Sequence, residues 1–251
     1  MKTTLRWLCG MVPLAVGLLI WEMRGTPEDF SFPVPSSWWD AGRELMSSGA
    51  FGPALRVTLT TFFVSMVIAT VLGVSAGIVL GFFVKAERAL TPLIDFFRTL
   101  PPPVIVPVLT LLLGITLKAG IVIVVISVMW PILLNTIGAV REMPAVRREI
   151  APVLGLGRIE TLFKVTMPSL LPGIVVGLRT ALSLGLVVTL LVDIIGSGSG
   201  IGRLLVIRQQ LFDASSVWAL LFVIGVIGYL LNLAVQGGAS YLLRRHPTAR
   251  F

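Results

Sequence analysis

Charge, cysteine and histidine are all scarce in this sequence. Only 13% of its 251 residues are Asp, Glu, Lys or Arg, about half the share of an ordinary soluble domain. One cysteine, Cys9, excludes an intrachain disulfide and any CxxC metal motif. The residues before it, Arg6-Trp7-Leu8, lack the small-residue pattern of a lipid-attachment site, so Cys9 reads as an apolar member of the first hydrophobic run. The single histidine, His246, stands in a basic tail. A His-based catalytic triad or a zinc protease therefore has no parts to build with. No G-x-x-x-x-G-K-[ST] phosphate loop occurs. The run from Gly196 to Gly202 is rich in glycine, but it follows a long apolar segment and has no lysine in the required place. It reads as a flexible turn ahead of a short outer segment.

What is abundant is apolar surface. Hydrophobic residues make up 56% of the chain and the mean hydropathy is +0.97, which places the chain in a bilayer. The net charge of +8 could suit nucleic acid. The basic residues, however, sit in short loops between apolar runs, which is the pattern of cytoplasmic membrane loops, so no nucleic-acid partner is expected. The expected fold is all-α: a polytopic helical bundle of about six spans, forming one transmembrane domain over 1–251. The first run, Trp7 to Trp21, is followed by no small-x-small cleavage site and reads as a retained helix. Further spans are expected at Val57–Val84, Val104–Leu117, Ala119–Ile137, Ile174–Ile195 and from Val217 to about Leu233. The short gap at Thr116 to Lys118 implies a tight hairpin between the third and fourth.

Between the first two spans, residues 22–54 are acidic, and Ser36 to Met46 reads as a short helix in the interface. With both termini inside, cytoplasmic segments hold 13 Lys and Arg against 6 outside, and 22–54 falls in the periplasm. Residues at four-residue spacing share one helix face. Ala69, Gly73, Gly77 and Gly81 form one small-residue stripe, and Gly173, Gly177, Ala181 and Gly185 form another. Such faces let backbones approach closely in lipid, so both read as packing faces.

The segment 138–172 is too polar to span. It reads as two short amphipathic helices, with Gly155 and Gly157 permitting positive φ at the turn between them and Pro168 and Pro172 ending the second before the fifth span. A helix pair projecting from the bilayer is a docking element for a cytoplasmic partner.

This loop resembles the signature of permease subunits of bacterial ATP-binding cassette importers, which reads E-A-A, three residues, G, nine residues, then I-x-L-P. Glu149, Ala151 and Gly155 fall in that spacing, and Val165, Met167 and Pro168 follow, with Ile150 replacing the first alanine. Most of the chain is similar to the nitrate, taurine and alkanesulfonate type. Phe32-Pro33-Val34-Pro35, the run Asp95 to Pro102, Gly114-Ile115 with Lys118, Gly177-Leu178-Arg179, and Asp193 followed by Gly200-Ile201-Gly202 carry the likeness. Thr99 and Pro103 depart from the family pattern.

The resemblance implies a type I importer permease in the inner membrane, not itself an enzyme. A second permease copy, two ATPase subunits that bind the ATP and Mg, and an external binding protein would complete the complex. Glu149, Ala151, Gly155, Gly157 and Pro168 would couple to the ATPase. Asp193, Arg98, Asn135 and Arg179 are candidates for the path or its gate, with Asp193 pairing with Arg203 in one access state. The solute class implied is a small organic or inorganic anion. The chain carries no cofactor or metal of its own in this reading. An intramembrane enzyme is disfavoured, since Asp95, Asn135, Arg179 and Asp193 are scattered and lack a histidine partner. An ion-gradient-driven transporter would show inverted repeats, and it leaves the 138–172 loop unexplained.

Overall fold

The computed structural model describes residues 2–26, 32–196 and 198–244. Pro27, Glu28, Asp29, Ser197 and His246 lie outside them. Among the described residues there are helices and no strands. In chain order these are α1 (Lys2–Arg24), α2 (Pro35–Ser47), α3 (Phe51–Phe82), α4 (Val84–Thr99), α5 (Pro102–Leu113) and α6 (Leu117–Arg141). Then come α7 (Ala145–Val153), α8 (Arg158–Thr161), α9 (Met167–Leu191), α10 (Ile201–Gln210) and α11 (Ala214–Arg244). Helix is what a bilayer demands, because backbone groups there have no water to bond and must pair within the segment.

Among the described residues four stretches are long and apolar enough to cross a membrane: α3, α6, the run Arg158–Gly196, and Ala214–Gly238 in α11. Helices α4 and α5 together make a fifth, bent by 94° between them. Helix α1 has 23 residues, about 34 Å at 1.5 Å per residue, which is the length of a sixth.

The packing centres on α6. Gly73, Gly77 and Gly81 of α3 lie against Ile132, Thr136 and Val140 of α6, where an added Cβ would approach within 2.9, 2.6 and 2.6 Å. Gly173 and Gly177 of α9 lie against Ala139 and Ile132 of the same helix at 2.6 and 2.9 Å. Helix α6 is thus gripped from two sides by glycine faces. Gly185 reaches past it to Met66 and Phe62 of α3. Phe62, Val124, Val128, Ile132, Val188 and Val192 form the fully buried core. The Ser65 hydroxyl donates to the Ile121 carbonyl at 3.2 Å and ties α3 to the start of α6. Lipid tails are as apolar as leucine, so close van der Waals approach and such cross-helix hydrogen bonds hold the bundle.

Three expectations are corrected. The third span is not Val104–Leu117: α5 has 12 residues, about 18 Å, too short to cross the roughly 30 Å hydrocarbon core alone. Pro101, Pro102 and Pro103 break it from the amphipathic α4, and Gly114, at φ +81°, ends it. The turn into α6 is accordingly at Gly114 to Thr116, where the Thr116 hydroxyl accepts from the Ala119 N–H.

Next, Pro168 and Pro172 do not end a helix. Helical backbone is continuous from Arg158 to Gly196. Proline clashes with the carbonyl four residues back. Here Leu162–Thr166 adopts a wider π turn, with the Met167 N–H bonded to the Leu162 carbonyl, and α9 follows with Pro168 in its first turn. The extra residue in the turn supplies the room that α-geometry lacks.

Finally, Gly155 has φ +63°, but Gly157 sits at φ −65°, ψ 166°, as the N-cap of α8. Only the first needs the left-handed region.

Candidate functional site

Two regions at opposite ends of the bundle hold most of the residues with chemistry. The first is the loop around Gly155. Glu149 and Ala151 belong to α7, and the Glu149 side chain is exposed. Beyond the turn, the Glu160 carboxylate accepts from the Gly157 N–H at 3.2 Å and from the Lys164 ammonium at 2.7 Å. Val153, Leu154, Ile159 and Phe163 surround the turn and are all more than 60% exposed. Arg147 Nη1 donates to Ser169 Oγ at 3.0 Å, tying α7 to α9. Arg141 at the end of α6 pairs with Glu87 of α4. Exposed apolar side chains beside a charged helix have the composition of a protein-contact surface.

A cavity of about 520 Å³ opens just behind this loop, between α6 and α9. Asn135, Arg147, Pro168, Ser169 and Gly173 are among its walls. The Asn135 amide donates to the Pro131 carbonyl at 2.8 Å, one turn earlier in α6. Asn135 and Pro168 are therefore brought together, although the sequence placed them in separate roles.

The second region is Asp193, in the π turn Val192–Gly196 at the far end of α9. It is not the interfacial carboxylate that its position implied. Asp193 is fully buried, and among the described residues Arg203 makes no ion pair with it. Thr58 Oγ1 of α3 donates to Asp193 Oδ2 at 2.6 Å and accepts from the Ile201 N–H at 2.8 Å. The Gly202 N–H points at the same carboxylate oxygen at 3.5 Å. Gly200, at φ +96°, leaves room for the carboxylate, since a Cβ there would fall on it. Gly200 and Gly202 thus pack against the carboxylate as part of a cradle. Burying a carboxylate is costly unless donors surround it, and the donors here include the start of α10 and the Thr58 hydroxyl. Thr58 carried no signal in the sequence, because one threonine in an apolar run is unremarkable by type.

The remaining candidates stand apart. Arg98 pairs with Asp95 one turn earlier on the exposed side of α4 at 2.7 Å. Arg179, on α9, lines a different cavity of about 330 Å³ together with Ser183, Tyr229 and Asn232. The four path candidates thus do not form one site.

Comparison with known proteins converges on one family. Residues 69–246 match the family described as binding-protein-dependent transport system inner membrane component. The chain is 30% identical over 240 residues to the bicarbonate transport system permease protein CmpB of Synechococcus elongatus, covering 90% of this chain and 86% of that one. It is 26% identical over 231 residues to the taurine transport system permease protein TauC of Escherichia coli, covering 89% and 84%. Its fold is similar to a chain of the MetNI methionine ABC transporter in an inward-facing form. That match has a TM-score of 0.69 and 20% identity, and covers 78% of this chain and 97% of that one.

Proposed function

The chain belongs to the binding-protein-dependent transport inner-membrane components, and from that premise we propose how it works and what it carries. It is a multi-pass inner-membrane permease subunit of an ATP-binding cassette importer. The family implies an ATPase and a substrate-binding protein as partners. ATP, bound with Mg, is hydrolysed by two separate ATPase subunits, and two copies of this permease face each other around one path. The solute is a small organic or inorganic anion, as the bicarbonate and taurine relatives suggest. Both termini are cytoplasmic.

The observation that carries the coupling role is the loop itself. Gly155 turns the chain at the tip of a helix pair whose apolar residues Val153, Leu154, Ile159 and Phe163 are mostly exposed. Inserted in a groove of the ATPase, the tip acts as a lever. Continuous helix from Arg158 through α9 transmits its displacement into the bundle without a joint. The glycine-gripped α6 moves with α9 as one body, which is rigid-body alternation between access states.

Co-expression with an ATPase subunit and a binding protein of the same family type tests this. The complex is expected to co-purify, and uptake of a radiolabelled anion into vesicles is expected to require ATP. Uptake driven by an ion gradient without ATP would overturn it.

A further inference from the structure

Arg179 is an unusual residue in its place. It stands at the midpoint of α9, inside the apolar stretch of a membrane span. It makes no ion pair and no hydrogen bond among the described residues. A cation within a span is costly and persists where it faces a water-filled cavity or a ligand. Arg179 has such a cavity: about 330 Å³ between α9 and α11, shared with Ser183, Tyr229 and Asn232. Gly228 makes the room, because it brings α11 so close to Leu186 that a Cβ would meet that side chain at 3.0 Å. The two helices touch there, and the polar side chains gather beside the contact.

The same face of α9 carries Val176, Thr180, Ser183 and Val187, all exposed and spaced three or four residues apart. Thr180 and Ser183 make this face partly polar. A polar stripe beside an uncharged-paired arginine is poorly suited to lipid tails.

Resting on the permease reading above, we propose that Arg179, Ser183, Tyr229 and Asn232 form an intramembrane binding site for an oxyanion in transit. A guanidinium is planar, permanently charged and matched to two oxygens of a carboxylate, sulfonate, nitrate or bicarbonate. The Ser183 and Tyr229 hydroxyls and the Asn232 amide are donors for the remaining oxygens. The site lies at the middle of α9. It receives the anion after the outer end has closed, and it selects for negative charge independently of the binding protein.

The test reads the local potential directly, without a known solute. In a Cys9→Ser, Ser183→Cys background, the permease–ATPase complex is purified in detergent. It is treated with negatively charged sulfonatoethyl methanethiosulfonate or with the positively charged trimethylammonium reagent. The anionic reagent is expected to react about tenfold faster relative to a free thiol, as one nearby charge at low dielectric implies. Arg179→Gln should abolish that preference and Arg179→Lys should keep it. Millimolar nitrate, bicarbonate or ethanesulfonate, used as probes, should slow the anionic reagent in the Arg179 protein and not in the Arg179→Gln variant.

Equal rates with Arg179 present overturn the proposal, as does a preference that survives Arg179→Gln. So does labelling by N-ethylmaleimide but by neither charged reagent, which would place the face against hydrocarbon, or no labelling by any of the three. Failure of all three probe anions to protect overturns it too. Failure of the permease reading would instead show as loss of ATPase co-purification or ATP-independent uptake. The labelling comparison is then made on the permease alone.

Discussion

Gly77 of α3 sits directly on Thr136 of α6, so closely that a Cβ at position 77 would stand 2.6 Å from the threonine Cβ and 2.9 Å from the Leu133 carbonyl oxygen. Both obstacles are stiff: one is a β-branched carbon in a helix, the other is backbone. Neither can move aside as the end of a long side chain would. Gly52, in the first turn of the same helix, has nothing within 4 Å of its added Cβ. Gly77→Ala is expected to destabilise the purified complex by about 1–3 kcal/mol through overpacking, while Gly52→Ala leaves it unchanged or slightly better. Thermal unfolding of the two variants in one detergent checks this. Equal midpoints would mean that the α3–α6 contact is looser than described.

The stripes of small residues were legible because their four-residue spacing is a property of sequence, and the partner helix is the one detail that spacing cannot name. The Gly155 turn was legible because glycine tolerates positive φ and because Glu149, Ala151 and Gly155 fall in the signature spacing. The fate of Pro168 and Pro172 was not. Proline usually ends a helix, and the local rule gives no hint that a π turn at Leu162–Thr166 absorbs the extra residue. The cradle of Asp193 was equally hidden. It joins Thr58 to residues 135 and more positions later, and contacts that distant leave no periodic trace. Arg179 was visible as a charge within an apolar run, but its companions Tyr229 and Asn232 come from another helix.

The turn at Gly155 separates two effects that a glycine can have. Nothing lies within 4 Å of its added Cβ, yet its φ is +63°. Gly155→Val would suffer from backbone strain of about 1–2 kcal/mol rather than from a clash. The variant is expected to insert and dimerise normally but to lose most ATPase association and uptake. Gly157→Ala, at φ −65° with only a 3.8 Å contact to Glu160 Oε2, should couple almost normally. Normal uptake by Gly155→Val would remove this turn from the coupling role.

Orientation is checked by single cysteines on a Cys9→Ser background. Ser47, at the end of α2, and Ala145, at the start of α7, are both exposed, so either would react once a reagent reached it. A membrane-impermeant thiol reagent added to intact cells is expected to label Ser47→Cys and to spare Ala145→Cys until the membrane is opened. Labelling of Ala145→Cys in intact cells would place the Gly155 loop outside, away from ATP.

Asp193 offers a test of whether its charge or its hydrogen bonds matter. The carboxylate and the Ile201 N–H meet on one hydroxyl, that of Thr58, so α3, the end of α9 and the start of α10 are joined through a single atom. Thr58→Val removes the link but leaves the carboxylate buried. Such a deletion costs about 1–3 kcal/mol, and more when the group left behind is charged. Asp193→Asn keeps the shape and weakens the acceptor. Because both substitutions act on one junction, the double variant should lose clearly less than the sum of the two, with a coupling of about 0.5–3 kcal/mol. Exchanging the charges of Asp193 and Arg203 should not rescue either loss, since Arg203 takes no part in the junction. Thermal unfolding of the four proteins of the cycle measures the coupling. Additive losses, or rescue by the charge exchange, would show that Asp193 answers to a partner other than Thr58.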